Sequence, residues 1–282
     1  MDTEARHVPV LRSMRALLGV FGVLTFLGVA ALFVRPDTTE EFFAWTIRPP
    51  LTAAFLGAAY LAGCTLVLLS LRASAWVHAR ASIATILVFT VLTLVATLVH
   101  LDRFHLLAGG VPARAAAWFW LAVYVLVPVA MVVVMTQQVR APGVHPERAR
   151  PLPRPLAWAL VAEGAVMLGV GAVLFVRPGL IAWPWALSPL TSRAIGAWLV
   201  SFGLAALLAV AEADLTRLRA PAVTYLVFGL AELAAVLRYA DSVAWGTGAA
   251  GAYLAFLVLV VITGAVGVRL TAAAPTRLEV PA

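Results

Sequence analysis

The chain contains no lysine; all 20 of its basic residues are arginine. With its abundant alanine, that usage suggests a GC-rich, bacterial coding genome. Cys64 is the single cysteine, so no intramolecular disulfide can form, and its place within an apolar run suits a small buried side chain. Charge is scarce: 12% of 282 residues are charged and 63% are hydrophobic, whereas about a quarter of a soluble domain is charged. Water is therefore excluded as the main solvent. The signatures of several chemistries are missing as well. There is no Walker-type P-loop and no GxSxG, and Gly169-Val170-Gly171 lacks the preceding strand that a dinucleotide site needs. No two histidines sit at similar depth on facing segments, as bis-histidine haem ligation requires. The sequence implies no cofactor, and energy coupling would have to come from an ion gradient or a partner protein.

What is present is length in apolar runs. Crossing ~30 Å of hydrocarbon as a helix takes about 20 residues, and such runs recur near 16–34, 51–71, 82–101, 115–136, 156–176, 191–211, 221–240 and 248–270. The expected fold is an all-α integral membrane protein of eight spans. The first run resembles a signal peptide, but its counterpart in the second half argues that it is retained. The net charge of +7 does not point to nucleic acid, because the arginines are spread over connections without a dense, aromatic-laced patch. Thirteen of them fall in the amino terminus, the loops on its side and the carboxyl terminus, from Arg6 to Arg277, and seven fall on the other side. That bias predicts both termini cytoplasmic, and with the bacterial composition the expected location is the plasma membrane, a bacterial inner membrane.

The two halves repeat each other. Leu32-Phe33-Val34-Arg35-Pro36 returns as Leu174-Phe175-Val176-Arg177-Pro178, and Trp45, Thr52 and Gly57 return as Trp185, Thr191 and Gly196. At a constant spacing Arg80, Phe89 and Asp102 match Arg219, Phe228 and Asp241; after a shorter loop, Tyr124 matches Tyr253. Each unit has an even number of spans, so the units are tandem and parallel. The expected organisation is a tail (1–15), a first four-helix unit (16–137), an Arg/Pro-rich linker (138–155), a second unit (156–270) and a tail (271–282). Segments 41–49 and 181–188 are too short to span and rich in aromatics, which places them along the outer interface or, in a sharper reading, as lids over outward-facing cavities. Arg35 and Arg177 fit helix ends, where a cation complements exposed carbonyls.

Ionisable groups within apolar spans are costly and therefore informative. Glu232 lies about 16 Å along its span and Glu163 about 10 Å, at ~1.5 Å per residue. Their counterparts in the first half are Thr93 and Phe21, so the second half has diverged. Tyr225, Phe228, Glu232 and Tyr239 share one helical face, as do Thr93 and His100. This predicts a polar site between the third and seventh spans, with Glu232, Thr93, His100, Tyr225, Tyr239 and Glu163 as candidates to bind a substrate or ion. A structural role for Glu232, bonding a neighbouring helix, is the plainer reading. His100, Asp102 and His105 are ligand types that zinc accepts, but positions i, i+2 and i+5 share no helix face. Three function classes result: a small secondary carrier or ion-coupled permease, a non-catalytic lipid-binding or accessory subunit of a membrane complex, and a membrane enzyme with an outward-facing His/Asp site. The expected partners are the bilayer, a small solute, ion or lipid, and another membrane protein.

Overall fold

Prolines set the starts of four long helices. Each of these helices has proline at its first or second position, where the missing N–H was unpaired in any case. In the computed structural model, which describes residues 7–272, the order is α1 (Arg12–Val29), prolonged by a π-helical turn (Ala30–Val34), α2 (Thr39–Phe42), α3 (Pro50–Leu71), α4 (Arg80–Val99), α5 (Val111–Val139), α6 (Arg154–Val176), α7 (Pro189–Glu212), α8 (Arg219–Arg238) and α9 (Gly248–Ala272). All but α2 are long and apolar enough to cross a membrane. These are the eight runs read from the sequence. The largest difference is in α5, which extends beyond 115–136 at both ends and carries Pro128 in its interior. No strand forms among the described residues; three isolated bridges do.

Those bridges define one end of the bundle. His7 pairs with Val144, Pro9 with Ala75 and Pro151 with Asp214, which gathers the amino-terminal segment, the α3–α4 turn, the linker and the α7–α8 turn. Gln138 secures the gathering by accepting from the Leu11 N–H at 2.8 Å and donating to the Pro9 carbonyl at 2.8 Å. Two of the arginines counted on this side, Arg6 and Arg277, lie outside the described residues. The opposite end carries segments 35–49, 100–110, 177–188 and 239–247.

Helices α3 and α7 form the centre. Helix α1 packs on α3 and α6 on α7, α4 lies across α7 and α8 across α3, and α5 and α9 complete the outside against α4 and α8. The α1–α3 approach is close enough that a β-carbon on Gly57 would overlap the Phe33 backbone. On α7, a β-carbon on Gly196 would lie 2.7 Å from the Gly171 carbonyl oxygen and 2.9 Å from the Phe175 nitrogen. The outward faces of the peripheral helices remain apolar, with Phe26 63% and Trp158 72% exposed.

Candidate functional site

Glu232 is 0% exposed. It projects from α8 toward α9, where the Tyr253 hydroxyl donates to its Oε2 at 3.2 Å and its Oε1 has no partner. Glu163, buried on α6, accepts at Oε1 from the Thr263 hydroxyl at 2.6 Å, and its Oε2 is likewise unpartnered. A buried acceptor left unmade costs about 1–3 kcal/mol, so both carboxyls are expensive places to leave an oxygen free.

The polar site expected between the third and seventh spans does not form. Those spans are α4 and α8, and they pack on α7 and α3 respectively, so Thr93 and Glu232 are not brought together. A helical face predicts burial; it does not choose the neighbour. Tyr225 donates to the Met167 sulfur at 3.7 Å, toward α6. Tyr239, at the end of α8, donates to Asp37 Oδ2 at 2.8 Å; burial and then the Asp37 carboxylate push its phenol up to about 12. His100 receives the Arg193 guanidinium at 2.8 Å, and burial followed by that cation holds its imidazole below the usual range.

The possible zinc group also separates. His105 donates from Nδ1 to the Phe43 carbonyl at 3.0 Å, because that oxygen can only accept, leaving Nε2 to accept from Thr46 at 3.1 Å. Asp102 pairs with Arg103 at 3.0 Å. With His100 committed to Arg193, the three side chains have three different destinations, and no group of three potential ligands occurs among the described residues. The predicted His/Asp site is therefore not assembled.

Two cavities lie beneath the aromatic segments, as in the sharper of the two readings of 41–49 and 181–188. The first, about 290 Å³, lies among α1, α3, α4, α5 and α7 beneath Phe42, Phe43 and Ala44. Its mouth is marked by wall residues that are also exposed: Leu27 on α1, Phe42 on α2 and Phe119 on α5. The second, about 250 Å³, lies among α6, α8 and α9, touching α3 and α7, beneath Ile181, Ala182, Trp183 and Pro184. The aromatic segments thus roof cavities. Both roofs are tied by a backbone bond to the far loop: the His105 N–H donates to the Ala44 carbonyl at 2.9 Å and the Ala244 N–H to the Pro184 carbonyl at 2.8 Å. The aromatic enrichment of 41–49 and 181–188 was the signal available for these sites.

The walls of the first cavity leave little for a polar ligand. Tyr60 and Tyr124 bond each other at 2.6 Å. Thr25 bonds the carbonyl of Phe21, Thr85 that of Ser82, Thr90 that of Leu87 and Ser201 that of Ala197. What faces the space is mostly carbon.

At the linker end, charges are paired across the molecule. Glu212 of α7 accepts from Arg80 of α4 at 2.6 and 2.7 Å and from Arg217 at 2.8 Å. Asp214, 1% exposed, accepts from the amides of Ala149 and Thr216 at 3.0 and 2.9 Å. Burial pushes its carboxyl up, but those bonds outweigh it and hold the group below the usual range.

Comparison with protein-family models, with curated proteins and with solved structures finds no match for this chain.

Proposed function

We propose that the chain is a multi-pass membrane protein of two tandem four-helix units, 16–137 and 156–270, with both termini cytoplasmic, and that it holds an apolar molecule drawn from the bilayer in the first cavity. Eight apolar helices with apolar outward faces support the membrane reading. The duplication is supported by a contact plan that survives exchange of the halves: α4 lies on α7 as α8 lies on α3. It is supported too by the matching close approaches at Gly57 and Gly196, and by cavities whose walls correspond, Phe89 with Phe228 and Tyr124 with Tyr253. Orientation rests on the arginine bias. A reporter fused within 138–155 is expected to read as cytoplasmic; an external signal reverses the topology.

The observation that carries ligand binding is the first cavity: apolar walls, hydroxyls already bonded, and a mouth between α1, α2 and α5 that faces sideways. Apolar space at that level fits hydrocarbon chains, for which transfer out of water is irrelevant and wall contact decides occupancy. Protein purified with lipid and stripped by detergent is expected to retain about one lipid per chain in native mass spectrometry, since a cavity of this kind is a single-ligand site. Ala116→Phe, which fills the mouth from α5, should reduce retention at least roughly fivefold by loss of that contact. Equal retention would remove the cavity as the site.

Ion-coupled carriage is a second reading, favoured by the unpartnered Oε1 of Glu232 within a span. Glutamine keeps the shape and one hydrogen-bonding oxygen but cannot ionise. Solute and ion uptake by proteoliposomes should therefore fall in Glu232→Gln; identical uptake leaves the carboxyl a structural role.

A further inference from the structure

The second cavity differs from the first in the chemistry of its wall. Five aromatic rings line it: Phe55 from α3, Trp183 from the roof, Phe228 from α8, and Tyr253 and Phe256 from α9. Trp183 and Tyr253 have ring centroids 5.5 Å apart, Phe55 lies 6.0 Å from Trp183 and 6.1 Å from Phe228, and all three pairs are tilted or edge-on. Rings set at such angles turn several faces and edges toward a shared space. Behind Tyr253 stands Glu232, one helical turn beyond Phe228 on the same face of α8, fully buried, with Oε1 free of any partner.

The geometry points to a site for a monovalent organic cation with apolar substituents, a quaternary ammonium or alkylated amine, held by the aromatic faces and balanced by Glu232. The reasoning is by elimination of charge types. A metal ion such as calcium takes six to eight oxygens, and the wall offers one side-chain oxygen, the Tyr253 hydroxyl, with Glu232 behind it. An anion would meet electron-rich ring faces backed by an acidic group. A neutral hydrocarbon fits the rings but makes no use of the carboxyl that stands behind Tyr253. An organic cation satisfies both features, since ring quadrupoles attract it within about 6 Å of a centroid and its alkyl groups accept the dry wall. The first cavity lacks this provision, because Thr93 stands where Glu232 does and Tyr124 gives its hydroxyl to Tyr60.

This inference rests on the second reading above, in which Glu232 serves a ligand, here through Tyr253 since the carboxyl is not itself in the cavity wall, and equilibrium binding separates it from carriage. The full chain in lipid nanodiscs would be titrated with benzyltrimethylammonium and with its neutral isostere neopentylbenzene, each followed by calorimetry. The cation is expected to bind saturably and at least tenfold more tightly than the isostere. Glu232→Gln should remove that preference while the isostere binds as before, and Trp183→Leu, which keeps apolar volume without a ring, should weaken the cation more than the isostere. Equal binding of the two probes by wild type overturns the inference. So does an unchanged preference in a Glu232→Gln protein with wild-type elution and thermal midpoint; if that variant does not fold, an unchanged preference in Trp183→Leu overturns it instead. Binding without uptake in proteoliposomes keeps the site and removes only carriage.

Discussion

Glu212→Ala should lower the stability of the protein by ~3 kcal/mol, seen as a fall of roughly 6–12 °C in the thermal midpoint of the purified protein. Glu212 closes α7 and receives two guanidinium groups, Arg80 in a two-bond fork and Arg217 through one nitrogen. The Arg217 side chain is 6% exposed, so removing the carboxylate strands a buried cation, and breaking such a pair by deleting one partner typically costs ~3–5 kcal/mol. The lower figure applies here because Arg217 keeps the Asp214 carboxylate at 3.4 Å and the Pro146 carbonyl at 2.7 Å. Arg80→Ala should cost less, since its side chain is 36% exposed and water replaces part of what it loses. A midpoint within about 2 °C of wild type for Glu212→Ala would mean that solvent already screens the cluster.

The second large effect is steric. Gly57→Ala should destabilise by ~1–3 kcal/mol, the usual cost of overpacking a close contact, and Gly196→Ala by a similar amount. Both β-carbons would meet backbone rather than a side chain that could swing away: Phe33 in one case, Gly171 and Phe175 in the other. Gly19→Ala on α1 is the control. Nothing lies within 4 Å of its β-carbon, so the gain in helix propensity, up to about 1 kcal/mol, should leave it neutral or slightly stabilised. If the three variants unfold alike, the close approach of α1 to α3 and of α6 to α7 is not what these glycines serve.

Particular residues show where sequence reading succeeds and stops. The eight helices were legible because each is a long apolar run, and helix starts were legible at Pro50 and Pro189 because proline suits a first turn. The aromatic roofs were visible as Phe42, Phe43, Trp183 and Trp185, and cavities beneath them as one of two readings, although their walls were not, since empty space is a property of several helices at once. Glu232 announced itself as a carboxyl within a span. Its partner did not: periodicity placed it with Thr93, whereas Tyr253 receives it, because α8 has α3 and α9 as neighbours and not α4. Glu212 was passed over altogether. Its partners are 132 and 5 residues away along the chain, and counting arginines for orientation treats Arg80 and Arg217 as markers of a side rather than as members of an ion cluster.

The crossing of α8 over α3 also sets a schedule for biosynthesis. Helix α3 is among the most enclosed in the molecule, yet part of its cover is made last: about 150 residues separate its end from the start of α8, which at ~5–20 residues per second amounts to on the order of ten seconds of translation. For that interval, under the membrane topology proposed above, the first four spans would sit in the bilayer with the Phe55 side of α3 and the Trp198-facing side of α4 uncovered. Under that topology, lipid or another membrane chain would cover those surfaces until the second half arrives.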